Sequence, residues 1–232
     1  MKSFLITGTD TGAGKTTFTC ALLRAAHQHS QVARAMKPIA SGAELTASGW
    51  QNDDAVQLLA AQNLPAERYS QVNPYCFAEA IAPHLAQQLA GANVDPLLIR
   101  TQFDALAQGA ALMLVEGAGG FLSPLATLAG GGYLEHAELA RLLGISEVLL
   151  VVGLKLGCIN HARLSELAIE AAGLTCVGVV LSVLEPDMAA LAGNIESLKR
   201  VLSAPVLAVF DARVPDSMAG VLEIIMNSAQ AA

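Results

Sequence analysis

The strand-like run Phe4-Leu5-Ile6-Thr7 passes directly into Gly8-Thr9-Asp10-Thr11-Gly12-Ala13-Gly14-Lys15-Thr16-Thr17. Glycines at such a junction let the backbone curl until successive N–H groups face one anion, and the helix that follows adds its positive N-terminus. Lys15 is placed to neutralise β- and γ-phosphates, and the Thr16 hydroxyl to ligate Mg²⁺. The segment reads as a phosphate-binding loop, with five residues rather than four between Gly8 and Gly14 and with Thr9 where the common pattern has its first glycine. A glycine-rich turn that only packs a helix on a strand is the plain alternative. A Gly-Lys-Thr-Thr run in strand–loop–helix order argues against it. The loop alone does not separate a kinase, a ligase, an ATPase and a switch.

Further charged residues stand at the ends of other apolar runs. Lys37 follows Val32 to Met36 and precedes Pro38, where it can either face the same anion as Lys15 or remain a solvated strand-end lysine. Glu116 closes Leu112 to Val115 and opens Gly117-Ala118-Gly119-Gly120. A carboxylate there suits Mg²⁺ or water, and the small residues after it let a phosphate approach the backbone. Asn52-Asp53-Asp54 opens a helix, and both a simple N-cap with first-turn acids and a functional Asp54 fit it. The fourth run ends in Gly153-Leu154-Lys155-Leu156-Gly157-Cys158-Ile159-Asn160-His161, a tight loop able to hold a small ligand by backbone groups. Nothing flanking Cys158 activates a thiol, so it reads as a packing residue, and His161 reads as a surface or capping histidine.

The elements that must position these residues form a regular alternation. Short β-branched runs at Phe4–Ile6, Val32–Met36, Leu112–Val115, Val148–Val152, Val177–Leu181 and Val206–Val209 are separated by helical patterns. The helical patterns cover Thr16–His29, Asp54–Ala61, Pro96–Gln108, Leu134–Leu143, His161–Ala172 and Ala189–Leu202. Strands apolar on both faces and joined by helices predict an α/β fold with a mostly parallel sheet covered on both sides. Ligands in such folds sit at the carboxyl ends of the strands, where every motif above falls. The 232 residues are 53% hydrophobic and 14% charged, enough for one large core, and residues 1–232 read as a single domain. A net charge of −7 without a basic stripe excludes non-specific nucleic-acid binding. The apolar runs are too short to span a bilayer, no signal peptide precedes the first strand, and the four scattered cysteines suit a reducing compartment. A cytoplasmic protein is expected.

Taken together, these segments resemble the dethiobiotin synthetases, a family with the P-loop NTPase fold. The resemblance rests on the Gly8–Thr16 loop, Lys37-Pro38…Ser41-Gly42, Asn52-Asp53-Asp54-Ala55, Val72-Asn73-Pro74-Tyr75, Val115-Glu116-Gly117-Ala118-Gly119-Gly120 and Lys155–Ala162. It implies a homodimer with sites at the interface that takes 7,8-diaminononanoate, CO₂, ATP and Mg²⁺ and makes dethiobiotin. One amine traps CO₂ as a carbamate, a carbamate oxygen takes the γ-phosphoryl group, and the second amine closes the ring. By position, the resemblance implies that Lys15, Lys37 and Thr11 are catalytic. It implies nucleotide contacts from Gly12, Ala13, Gly14, Lys15, Thr16, Thr17, Asp54, Glu116, Gly117, Ala118 and Gly119. Thr16, Asp54 and Glu116 would surround the metal. Ser41 and the Gly157, Cys158, Ile159 and Asn160 backbone would hold the diamine, the latter from the partner subunit.

The chain departs from that family at three places. Gly12-Ala13 stands where an acidic residue and valine are usual, and Ser182-Val183 where Asn-Asp reads the adenine edge. Phe210-Asp211-Ala212-Arg213 replaces a proline-led segment around the base. Relaxed base selectivity is the expectation. The competing readings are a non-catalytic or relaxed-specificity paralogue, a glutamine-dependent synthetase, and a ParA/MinD-like ATPase switch. The chain has no room for a glutaminase domain, and it lacks both the early second lysine and the basic tail of such switches.

Overall fold

In the computed structural model of the chain, which describes residues 1–211, 213 and 218–227, the six apolar runs become the central sheet. The first half runs β1 (Lys2–Gly8), α1 (Lys15–Gln28), β2 (Ala33–Met36), β3 (Ile39–Ala40), β4 (Glu44–Thr46), β5 (Gly49–Gln51), α2 (Asp53–Ala61), α3 (Tyr69–Val72), β6 (Tyr75–Cys76), α4 (Pro83–Leu89) and α5 (Pro96–Ala107). The second half runs β7 (Leu112–Gly120), β8 (Ala126–Thr127), β9 (Tyr133–Leu134), α6 (His136–Leu143), β10 (Glu147–Leu154), α7 (Cys158–Ala171), β11 (Thr175–Val183), α8 (Leu191–Val201), β12 (Val206–Asp211) and α9 (Ala219–Asn227).

The sheet order is β12-β11-β10-β1-β7-β2, and every pairing is parallel. All eight residues of β10 are buried, which requires cover on both faces. That cover comes from α1 with α2 and α9, from α5 with α6, and from α7 with α8. The chain winds outward in both directions from β1, so the loops gather at the carboxyl ends of β1, β7 and β10. β2 lies at one edge of the sheet, and a side chain closes it. Gln62 accepts from Ala35 N (3.0 Å) and donates to Ala35 O (3.0 Å), so strand-like bonds end at an amide instead of an open edge.

Several helix starts differ from the sequence expectation by one to three residues, among them α8, which begins at Leu191 and not Ala189. The helix expected from Leu134 begins at His136, because Tyr133 and Leu134 pair with Ala126 and Thr127 in a hairpin. The helix expected from His161 begins three residues earlier, at Cys158, so His161 lies inside its first turn and does not cap it. Gly157 is its N-cap at φ 95°, a backbone state that glycine alone adopts freely.

Candidate active site

The loop after β1 is held from below. Gly153 N donates to Thr9 Oγ1 (3.3 Å), tying the loop to the next strand. Gly14 has φ +95°, and a Cβ there would come within 2.4 Å of Ser182 Oγ on β11. Both the conformation and the close approach require glycine. Lys15 opens α1, is almost fully buried, and donates to Asp10 O (2.9 Å) and Gly119 O (2.9 Å). Burial pushes its ammonium down to about 8, with the nearby Glu116 charge opposing that shift.

Lys37 follows β2 and is anchored at both backbone groups. Its N–H donates to Val72 O (2.8 Å) and its carbonyl accepts from Asn73 Nδ2 (2.7 Å). Asn73 Oδ1 accepts from Tyr69 Oη (2.9 Å), and that oxygen accepts from Asn52 N (2.8 Å). Asn52 in turn caps α2 by accepting from Ala55 N (3.3 Å). A single chain of bonds therefore links the lysine to the helix that carries Asp54. Lys37 Nζ donates to Asp54 Oδ2 and to Glu116 Oε1 (2.9 Å). Burial pulls the Lys37 ammonium down, but the Glu116 and Asp54 charges outweigh it and hold it above its ordinary value. Burial alone would raise the Asp54 carboxyl, yet Lys37 holds it below the usual range.

Glu116 is fully buried on β7, and both of its oxygens are satisfied. Oε1 accepts from Thr16 Oγ1 (2.7 Å) and Lys37 Nζ (2.9 Å), and Oε2 accepts from Thr19 Oγ1 (3.0 Å). The next residue, Gly117, faces the ring of His136: a Cβ would lie 2.1 Å from Nε2. His136 is wholly buried, and burial, with the Lys15 charge, pushes it down to about 3 against the opposing pull of the Phe121 and Ser123 backbone.

A cavity of about 660 Å³ opens above these groups. Thr11, Gly12, Gly14, Lys15, Thr16, Thr17, Lys37, Ser41, Asp54, Ala118 and Gly119 line it. Glu116, Gly117 and Ala13 lie beneath its surface, all buried. Gly157, Cys158, Ile159 and Asn160 do not reach it within one chain, and the Cys158 side chain packs into the core. A second cavity of about 330 Å³ lies between the 120–123 loop and α7, with Thr9 and His161 on its wall. The lining of the main cavity also includes residues the sequence did not single out: Ala80 to Pro83, Ser123 and Leu184. Apart from Pro83, which opens α4, they sit on loops with no motif. Thr19, by contrast, left a signal, because it stands three residues after Thr16 on the same helix face.

Three oxygen-bearing side chains, Thr16, Asp54 and Glu116, meet around Lys37. Two carboxylates and a hydroxyl, next to a phosphate loop, form a hard donor set that fits Mg²⁺. On the other side, the buried side chains of β11 and β12 offer little polarity, and the charged pair at the end of β12, Asp211 with Arg213, is partly exposed. Ser182 Oγ is buried and has no hydrogen-bond partner among the described residues, and Phe210 packs on Phe18 at 6.3 Å between ring centroids. Ala212, within the segment expected around the base, lies outside the described residues.

A family model described as "AAA domain" matches residues 2–215. The ATP-dependent dethiobiotin synthetase BioD of Aromatoleum aromaticum is 43% identical over 208 residues, covering 90% of this chain and 89% of its own. The protein of the same name from Xylella fastidiosa is 42% identical, covering 88% of each chain. Among solved structures, the MinC:MinD cell division protein complex of Aquifex aeolicus matches with a TM-score of 0.53 at 14% identity, over 98% of this chain and 85% of the other. At that identity the likeness concerns the fold alone.

Proposed function

The chain belongs to the family of ATP-dependent dethiobiotin synthetases, and on that premise we propose that it joins CO₂ to 7,8-diaminononanoate and closes the ureido ring of dethiobiotin at the expense of ATP. The reaction is a C–N ligation in biotin biosynthesis. The observation that carries the reading is the Lys37 ammonium, held between Asp54 and Glu116 on the floor of a cavity whose other wall is the Lys15 loop.

A carbamate is a poor electrophile until one of its oxygens leaves as phosphate. In this reading one substrate amine adds to CO₂ and loses a proton to give the carbamate. A carbamate oxygen then attacks the γ-phosphorus of ATP, and ADP leaves. The second amine attacks the mixed anhydride carbon, closes the ring and expels phosphate. Lys15 and Lys37 stabilise the charge that develops on the transferred phosphoryl group and on the carbamate. Backbone N–H groups of residues 12–17 and 117–119 orient the phosphates, and Thr11 and Ser41 contact phosphate and substrate at the cavity wall. Thr16, Asp54 and Glu116 would hold Mg²⁺ through their side-chain oxygens, and the ion would supply charge neutralisation for phosphoryl transfer.

The diamine's carboxylate is assigned to the start of α7, residues 157–160, of a partner subunit. Two features support that assignment. The N-terminus of α7 has no side-chain cap, and although Cys158 N donates to Lys155 O (3.0 Å), the N–H groups of Ile159 and Asn160 have no partner among the described residues and are open to an anion. The surface around it carries apolar side chains: Leu156 is 94% exposed, Leu122 and Leu164 stand exposed at the second cavity, and Leu167 is exposed further along α7. A patch of that kind fits a subunit interface, here a homodimer. Among the described residues no helix is long and apolar enough to cross a membrane. Cytoplasmic placement belongs to the same proposal and is supported by four free cysteines.

The deciding experiment measures phosphate release with ATP and Mg²⁺ and follows the ring product by mass. Release that requires both diaminononanoate and bicarbonate is expected. ATP hydrolysis indifferent to both would overturn the reading.

A further inference from the structure

We propose that Thr19 is a positioning residue that fixes the rotation of the Glu116 carboxylate, and so sets how well the site holds its metal. The proposal rests on the functional reading above, in which Glu116 is one of the metal's oxygen donors.

The geometry starts from burial. Glu116 has no exposed surface, and neither does Thr19. A carboxylate in that position must have each oxygen occupied or its charge is costly. Oε1 is doubly served, by Thr16 Oγ1 at 2.7 Å and Lys37 Nζ at 2.9 Å. Oε2 receives Thr19 Oγ1 at 3.0 Å and nothing else among the described residues. Without that contact the carboxylate is held at one oxygen only and can turn about its last bond. With it, the plane is pinned and Oε1 keeps facing Thr16 and Lys37, the side on which the phosphates arrive.

The Thr19 hydroxyl has one proton and two acceptors in reach, Glu116 Oε2 at 3.0 Å and Lys15 O at 2.9 Å. Lys15 O lies one turn back in α1, where a ladder N–H is its regular partner. An ionised carboxylate is the stronger acceptor, and a hydroxyl lone pair turned toward it would leave a buried anionic oxygen unpaired. The proton therefore goes to Glu116. Thr16 and Thr19, three apart on one face of α1, thus grip the two oxygens of one carboxylate, one from the cavity side and one from below.

Two variants separate this role from simple packing. Thr19→Val keeps the branched shape and removes the hydroxyl, whereas Thr19→Ser keeps the hydroxyl and removes a methyl. The first readout is calorimetric titration of Mg²⁺ into the whole enzyme saturated with a non-hydrolysable ATP analogue, which needs no turnover. Thr19→Val is expected to weaken metal binding about tenfold and Thr19→Ser less than threefold, an ordering a packing role would reverse. The second readout is turnover, with the Mg²⁺ concentration for half-maximal rate raised about tenfold in the valine variant and the diamine KM within twofold. Parent-like metal binding in Thr19→Val, or equal losses in both variants, overturns the proposal. If the valine variant does not fold, Thr19→Ala enters the same titration with the same expectation. A parent that binds Mg²⁺ with the analogue but makes no product defeats the ligase reading, while the titration still decides the role of Thr19.

Discussion

The carboxyl rim of the sheet has two halves built on opposite principles. Around β1, β2 and β7 stand Lys15, Lys37 and Glu116, with Asp54 leaning in from α2, and each charged head finds a partner. Around β11 and β12 stand Ser182, Leu184 and Phe210, where the buried Ser182 hydroxyl finds none. A buried charge can persist only if its surroundings fix it, so the first half is determined by several bonds at once. The second half is determined by shape, above all by the fit of Gly14 over Ser182. Substitutions should therefore be costly in the first half and cheap in the second.

The largest expected effect is that of Lys37→Ala. Loss of one electrostatic stabiliser of the transferring group costs about 10²–10³ in kcat. The same change leaves the buried Glu116 with one fewer donor, and breaking a buried pair typically costs about 3–5 kcal/mol of stability. Turnover and thermal unfolding should both fall. A variant with full activity would remove Lys37 from the reaction and collapse the contrast between the two halves.

Next in size is the pH dependence of nucleotide binding through Lys15. Its folded pKa of about 8 lies below the ordinary lysine value of 10.5. The unfolded chain thus holds the extra proton between pH 8 and 10.5, and this residue's contribution to folding stability rises with pH through that window. Binding behaves in the opposite sense. The lysine is charged below pH 8 and neutral above it, and a bound triphosphate restores the charge. ATP affinity should fall as pH rises above about 8, with proton uptake on binding. Calorimetry in buffers of different ionisation enthalpy reads this directly, and release instead of uptake would contradict the assignment.

How far these halves were legible in the sequence follows from the same physics. The strands β1, β7, β10 and β11 could be read because burial on both faces leaves an unbroken apolar run. The loop at Gly8–Thr17 could be read because phosphate binding demands its residue types in order. Two-residue strands such as Ile39–Ala40 and Tyr75–Cys76 have no period to read. For Lys37 the sequence left a solvated strand-end lysine open, and burial between two carboxylates is a tertiary fact that strand position does not contain. Asp54 is a first-turn acid behind the Asn52 cap, as one of its two readings had it, and its contact with Lys37 is again a tertiary fact that the local pattern does not contain. The unpaired state of Ser182 depends on what the other strands bring near it, which no local pattern records.

A smaller effect tests the underside of the charged half. His136, packed beneath Gly117, has a folded pKa of about 3 against an ordinary 6.5. A base held neutral in this way contributes stability that is fully present above pH 6.5 and is lost as pH falls toward 3, because the unfolded chain takes up the proton first. His136→Leu should flatten the fall of the melting temperature between pH 6.5 and 4. An unchanged slope would mean that the ring escapes burial in solution.

The smallest expected effect concerns Ser182, and it decides whether the second half reads the base at all. A buried hydroxyl without a partner costs about 1–3 kcal/mol, so deleting it in Ser182→Ala should leave stability unchanged or slightly raised. In the parent, kcat/KM with ATP, GTP and CTP should agree within about tenfold, since discrimination against a wrong base requires a polar group that a correct base satisfies. The alanine variant should keep those ratios. A strict preference for ATP that Ser182→Ala abolishes would show that the unpaired hydroxyl waits for the nucleobase. The two halves would then differ only in when their partners arrive: the charged half pairs within the protein, and the apolar half pairs on binding.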